Sequence, residues 1–421
     1  MSSKMEPGVV RLGHVITEEE PGDVALVEFD GKGASVRCPQ LMSFSEALEA
    51  NAFDTNPTAT VIFRDAEGYL TLLDGRSLGS TASSLGESEQ RFRFWKALAT
   101  GANGVDYDNI NGMRSDVEGL AEWAKMSPVT SSLMYEDRAR PRINIVAQNL
   151  EAKILGGPLC LALTTEFSHN PQPVDGVYSI RSELSVNTRS ESLVAWAEHA
   201  TAHRMIQDLM VLVYGRPCHA RLNSVMREDD QPFLQSGDRC YWVSAYVPSF
   251  GRQYGLTPAL PDSAKPLFYL DEANTESVSA WLDEFTLWSR PTWIAVSHVF
   301  QPDLSVEVQL IQVSVALEAL GYAIWAQKPT SSRTPPFDGL LRRVTALVPL
   351  KHARIYGGLS ERSWRVRFVD AYMGAKHADK PLPDAETAYQ CVQQGLTLIR
   401  CWLALKLGVA PEILEERLSR N

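Results

Sequence analysis

WRVRFVDAYMGAKHADKPLPD, residues 364–384, sets a lone histidine in the only strongly basic neighbourhood of an acidic chain. The run from Arg365 to Lys376 is made of helix formers, contains no proline and spaces apolar Phe368, Ala371 and Ala375 as one helical face does. His377 therefore falls on or just past the last helical turn, and Lys380-Pro381-Leu382-Pro383 ends the helix. An imidazole titrates near neutrality, which suits a group that must move a proton beside a phosphate.

The surroundings are basic as well. From position 342 to 380 the cations are Arg342, Arg343, Lys351, Arg354, Arg362, Arg365, Arg367, Lys376 and Lys380, against Glu361, Asp370 and Asp379. The whole chain carries a net charge of −11, so a general nucleic-acid coat is excluded and this local excess is the footprint expected for a polyanion. The plain alternative is a solvated basic face.

Working outward, the C-terminal part reads as helical throughout. Val306, Leu310, Val313, Leu317, Leu320 and Ile324 form an apolar stripe; FDGLLRRVTALV, the His377 helix and DAETAYQCVQQGLTLIRCWLALKLG complete a set of four helices. Val392, Ile399, Trp402 and Leu405 are expected to face inwards, and Leu396, Leu398, Leu403 and Leu407 to lie outside that stripe as a surface for self-association.

The N-terminal part reads differently. Residues 8 to 75 hold short β-branched or aromatic runs (VVRLGHVI, DVALVEFD, ASVRCP, TATVIFRD, YLTLLDGR) divided by Gly- and Asp-rich turns. Phe92 and Phe94 alternate with Arg91 and Arg93 as on a half-exposed strand. A short helix over 116–123 buries Leu120 and Trp123, and a longer one is expected over 188–215, with Thr188 and Glu191 at capping-box spacing. TESVSAWLDEFTLWSR reads as one further helix with Trp281, Phe285 and Trp288 on its core stripe. The fold class is thus α+β: a β-rich region over 1–295 with a few helices, then an all-α bundle over 300–421, with the junction between Ser289 and Pro302.

Other chemistries find little support. No dinucleotide or Walker-type glycine loop occurs, and the cysteines at 38, 160, 218, 240, 391 and 401 form no CxxC pair. His199 and His203 stand four apart on a helix, the spacing of two metal ligands, but EHATAH lacks the internal glutamate of HExxH and no third ligand follows from spacing. No metal and no cofactor are expected. The N-terminus has no signal-peptide pattern and no apolar run of about 18 residues is read, so a cytoplasmic chain without membrane contact is expected.

The order of parts resembles a known family. A β-rich region containing INGMRSDVEGLAEW, then a helix-rich segment, then a bundle with ALEAL in its first helix and KHAD before its last, is similar to the ApeA family of bacterial anti-phage proteins. The resemblance implies a characteristic N-terminal domain followed by a HEPN domain, a helical bundle that dimerises and often cleaves RNA without metal through an Arg-x4-6-His motif. It also implies a phage-derived trigger. Carried over, His377 matches the motif histidine and Glu318 in ALEAL the acidic residue of the first helix. The arginine is not matched: the spacing reaches Tyr372, Ala371 or Asp370, and Arg367 stands ten positions before His377, roughly 15 Å along a continuous helix.

The catalytic candidates are His377 as base, Lys376 as a neighbouring cation, Tyr372 at the arginine position and Glu318; Arg362, Arg365, Arg367 and Lys380 are the RNA-binding candidates. Two readings follow from the family, a metal-independent endoribonuclease and a catalytically silent protein for dimerisation, RNA binding or sensing. A metalloenzyme using His199 and His203 is the third.

Overall fold

The structure is a computed structural model that describes residues 5–17, 20–41, 60–82, 87–101, 105–136, 140–169, 177, 179–230, 242–252, 257–328 and 333–420. Residues 329–332, ahead of the FDGLLRRVTALV helix, and Cys240 lie outside the described residues. The chain forms two compact units whose segments interleave in sequence: 1–116, 187–201 and 220–252 in the first, and 117–186, 202–219 and 253–421 in the second.

In the first unit the short apolar runs become strands β1 (Val10–Thr17), β2 (Glu20–Phe29), β3 (Ala34–Leu41), β4 (Thr60–Asp65), β5 (Gly68–Ala82) and β6 (Glu87–Leu98). Antiparallel pairings join β1 to β2, β2 to β3, β3 to β6, β6 to β5, β5 to β4 and β4 back to β1, which closes a six-stranded barrel. Alternation along the strands fills its interior with Val27, Phe29, Val36, Phe63, Leu70, Leu72 and Phe94. Arg11 is buried with Asp65, its Nε and Nη2 donating to the two carboxylate oxygens at 2.6 Å each. From β6 the sheet extends through β14 (Trp242–Tyr246) and β13 (Ala220–Met226) to β7 (Asn109–Val117) and the later part of β12 (Ile180–Ala195).

The second unit holds β10 (Lys153–Gly156) paired with β11 (Leu161–His169), and the two-stranded sheet of β8 (Val129–Glu136) and β9 (Arg140–Ala147). The short helix α1 (Leu120–Ala124) buries Leu120 and Trp123 as its spacing predicts. The longer helix begins later than expected. Strand β12 runs to Ala195 and α2 spans Trp196–Tyr214, because Thr188 is inside the sheet and bonds His199 instead of capping a helix.

The segment read as one helix over 275–290 is two, α3 (Thr275–Asp283) and α4 (Phe285–Val299), joined at Glu284. Asn274 caps the first, accepting from the Ser277 N–H. Helix α4 continues through Pro291, so the stretch chosen as a junction in the sequence covers the end of a helix and the loop after it. Trp281, Phe285 and Trp288 are all buried, as the stripe predicts.

The remaining helices are α5 (Val306–Gln327), α6 (Phe337–Ala346), α7 (Ala353–Tyr356), α8 (Glu361–Lys376), α9 (Ala385–Lys406) and α10 (Pro411–Arg420). Helix α5 has the length and apolar composition to cross a membrane, unlike the expectation from sequence; half of its most apolar window is buried within the chain.

The expected outer leucines of α9 are not on the surface. Leu396, Leu398, Leu403 and Leu407 are all buried, as are Val392, Ile399 and Trp402. A single inward stripe is the wrong picture because α9 has neighbours on more than one side, while Tyr389 and Gln393 stay exposed. Trp402 packs against Trp288 of α4 with the rings tilted and their centroids 5.0 Å apart, and the Leu407 carbonyl accepts from the Asn274 N–H. Arg400, partly buried, donates from Nε and Nη2 to the Leu212 and Val213 carbonyls at 2.7 and 2.9 Å, capping the end of α2. Burial lowers its pKa to about 10, and the carbonyl ends of α2 supply the partial negative charge it faces.

Gly395 lies at a close crossing in the bundle. A Cβ there would lie 2.6 Å from Val313 Cγ1 and 3.0 Å from the Phe368 ring, so α5, α8 and α9 approach only because position 395 has no side chain. Gly395→Ala should therefore destabilise the protein by about 1–3 kcal/mol through overpacking. Urea denaturation measures it, and a variant as stable as the parent would contradict this packing.

Candidate functional site

Helix α8 starts at Ser360, whose hydroxyl accepts from the Ser363 N–H at 3.1 Å, and ends at His377 in extended conformation. The His377 N–H still donates to the Met373 carbonyl at 3.0 Å, and the His377 carbonyl accepts from the Lys380 N–H at 3.0 Å. The histidine thus sits at the last turn, as the sequence predicts. The chain then folds back on the helix: a Cβ on Gly374 would lie 2.2 Å from the Pro381 carbonyl oxygen and 3.1 Å from Pro383 Cδ. Asp384 begins α9 by accepting from the Thr387 N–H at 2.8 Å and its hydroxyl at 2.7 Å, and these bonds hold its carboxyl below the usual range. The fold-back leaves the imidazole half-exposed, and among the described residues it has no side-chain hydrogen-bond partner.

Lys376, Tyr372 and Glu318 are brought together. The Lys376 ammonium lies 5.2 Å from the Tyr372 ring centroid. A hydrogen bond with the Tyr372 side chain, then the charge of Glu318, hold Lys376 above the ordinary lysine range. Tyr372 itself is buried edge-to-face against Phe337, with ring centroids 5.0 Å apart. One turn of α8 thus carries an aromatic ring inside and a cation over it, with Glu318 of α5 nearby.

The RNA-binding candidates separate. Arg362 and Lys380 are exposed. Arg365 is mostly buried and committed to carboxylates, bonding Asp338 at the start of α6 and Glu361 at 3.2 Å; Glu361 also accepts from the Thr345 hydroxyl at 2.7 Å. Arg367 donates from Nη1 and Nη2 to the side-chain oxygens of Gln390 (3.2 Å) and Gln394 (2.8 Å) on α9. Gln394 Oε1 also accepts from Trp364 Nε1 at 2.8 Å. Arg365 and Arg367 therefore act first as ties between helices. The partners Asp338, Gln390 and Gln394 carry no sequence signal, since they stand 23 to 27 residues from the arginines they hold.

The metal candidates are dispersed. His199 Nδ1 lies 2.8 Å from the Thr188 hydroxyl, and both His199 and His203 are buried. Among the described residues no group of three His, Cys, Asp or Glu side chains is placed to hold a metal ion. Cys38, Cys218, Cys391 and Cys401 are buried thiols and Cys160 is exposed; burial pushes the Cys38 and Cys391 thiols up to about 11.

Burial also lowers the pKa of His199 and of His298. Each imidazole takes up a proton more readily in the unfolded chain than in the folded one. Their contribution to stability is present above the unfolded value of about 6.5 and is lost as pH falls towards the lower folded values. The urea midpoint should fall from pH 7.5 to pH 5.5, and His298→Gln should flatten part of that fall. An unchanged pH slope in the variant would remove His298 as a source.

The family model described as ApeA N-terminal domain 1 matches residues 28–281, a span that takes in most of the barrel, the sheet extension and α1 to α3. No curated protein and no solved structure matches the chain. With more than half of its length covered by that match, the chain belongs to the ApeA N-terminal domain family.

Proposed function

We propose that this chain is an anti-phage defence protein of the cytoplasm whose helical region from about residue 300 is a HEPN-type domain that binds RNA and cleaves it without metal at the C-terminal end of α8. Family membership supports the defence role. The observation that carries the chemistry is the half-exposed imidazole of His377 at the helix end, next to the exposed Lys376 ammonium. Cleavage through the RNA's own 2′-hydroxyl needs a base to take its proton and a cation facing the extra charge on phosphorus. His377 takes the first role and Lys376 the second, with Lys380 contacting a neighbouring phosphate and Arg362, roughly 22 Å back along α8, a more distant one. Self-association through the helical region and a phage-derived trigger belong to the same proposal.

A second reading has its own support. Tyr372 stands at the spacing where the family motif has arginine, and its ring is packed inside; Arg365 and Arg367 are held by Asp338, Glu361 and two glutamines. On that reading the helical region binds RNA or a second copy without cutting.

One set of proteins separates the two. The parent should cleave RNA in EDTA, leaving 2′,3′-cyclic phosphate ends, and His377→Ala should lower the rate by about 10² to 10⁴ with an unchanged melting temperature. Lys376→Gln should lower it as well. A silent parent that gains cleavage in Tyr372→Arg would establish the second reading, and parental cleavage that survives His377→Ala would show that another residue is the base.

A further inference from the structure

The outer face of the barrel carries an arrangement that strand pairing alone does not reward. On β6, Arg91 and Arg93 point outward two residues apart. Arg37 of β3 is the direct cross-strand partner of Arg91, and Arg76 of β5 is the direct partner of Arg93. Four guanidiniums thus occupy adjacent outward positions on three neighbouring strands, in two like-charged pairs of a kind that destabilises a sheet.

Carboxylates meet this charge only in part. Asp30 holds Arg93 at 2.5 Å, with the Ser35 hydroxyl accepting from the same guanidinium at 2.9 Å, and Glu89 pairs with Arg91 along its own strand. Glu28 is 3.8 Å from Arg37, with both side chains more than two-fifths exposed. Arg76 stacks on the Trp95 ring at 4.9 Å and has no carboxylate partner among the described residues. Three of the four arginines, Arg37, Arg91 and Arg93, line a groove of about 340 Å³ together with Glu28, Asp30 and apolar Leu78. A bulge in β5 between Ser77 and Gly79 opens it: Gly79 lies opposite Arg91 at φ +103°, with open space where a side chain would be.

From this we propose that the groove is a binding site for a small phosphorylated organic anion of about nucleotide size, a volume that small-ligand sites commonly have. Guanidinium forks match phosphoryl oxygens two at a time, so Arg37 and Arg91 grip one phosphoryl group and Arg93 an adjoining one. The bound anion relieves the repulsion within both arginine pairs, while Leu78, about half exposed, contacts the uncharged part of the ligand. This site lies in the first unit and does not depend on the chemistry assigned to His377.

Isothermal titration of the full chain with ADP, pyrophosphate and adenosine tests it. ADP and pyrophosphate should bind and adenosine should not, and Arg37→Gln/Arg91→Gln should weaken both at least tenfold while the melting temperature holds. Glu28→Gln, which frees Arg37 from its competing carboxylate, should tighten binding severalfold, a gain that a misfolded protein cannot give. No heat from either phosphate compound at millimolar concentration, or equal binding by the double variant, would overturn the assignment. So would tight binding of a twelve-nucleotide RNA without any of ADP, because the site would then read a polymer backbone.

Discussion

The placement of His377 depends on how α8 is held against α9, where one acceptor serves two donors. Gln394 Oε1, nearly buried on α9, receives both the Trp364 indole N–H and an Arg367 guanidinium N–H at 2.8 Å. Removing that oxygen would strand two donors in an interior where each unmet hydrogen bond costs about 1–3 kcal/mol. The two bonds fix the rotation of α8 about its axis, because Trp364 and Arg367 are three apart and share the face turned to α9. Gly395, the next residue, lets the Phe368 ring come close enough for that face to pack. Rotation and approach together decide where the end of α8 lies. Gly374 then allows the Pro381–Pro383 segment to fold back beside it.

Charge counted along a sequence and charge offered to a ligand are different quantities here. The basic stretch over 342–380 has three acidic residues of its own, but Asp338, just outside it, and two neutral glutamines of α9 take up Arg365 and Arg367. Lys376 and Lys380 are the members near His377 that remain exposed, and Arg362 is exposed at the other end of α8. The barrel shows the converse. Its arginines are spread over positions 37, 76, 91 and 93, too far apart to register as a cluster, and strand pairing gathers them on one face.

Local pattern made the elements legible and left their closure hidden. Alternation around Phe92 and Phe94 marked β6, and helical spacing marked α5, α6, α8 and α9, since each signal arises within a few residues. Ring closure rests on β1 pairing with both β2 and β4 and on β6 pairing with both β3 and β5, which no local pattern encodes. The same limit explains the misplaced start of α2. Thr188 and Glu191 have the spacing of a cap, yet Thr188 is wholly buried beside His199, and the partners that keep it extended come from elsewhere in the chain. Likewise the leucines of α9 were assigned to the surface by counting one stripe, whereas Trp288, Asn274 and the end of α2 cover the other side.

Helix α8 carries a buried ring at Tyr372 and a cation one turn on at Lys376. Position 372 faces Phe337, a setting in which a phenol ring buries apolar area and an arginine would need a carboxylate or carbonyl partner. Lys376 lies one turn on, at i+4, where the tilt of side chains towards the helix N-terminus brings its ammonium back over the Tyr372 ring. The ring supplies a cation–π surface, its hydroxyl a hydrogen bond and Glu318 an opposite charge, so the lysine is held protonated while remaining exposed. A guanidinium at 372 would sit one turn inside the bundle from His377. The ammonium at 376 is adjacent to it in sequence and open to solvent. An ammonium there is a point charge instead of a planar fork, and the exposed cation nearest to it in sequence is Lys380, whereas Arg362 stands at the other end of α8.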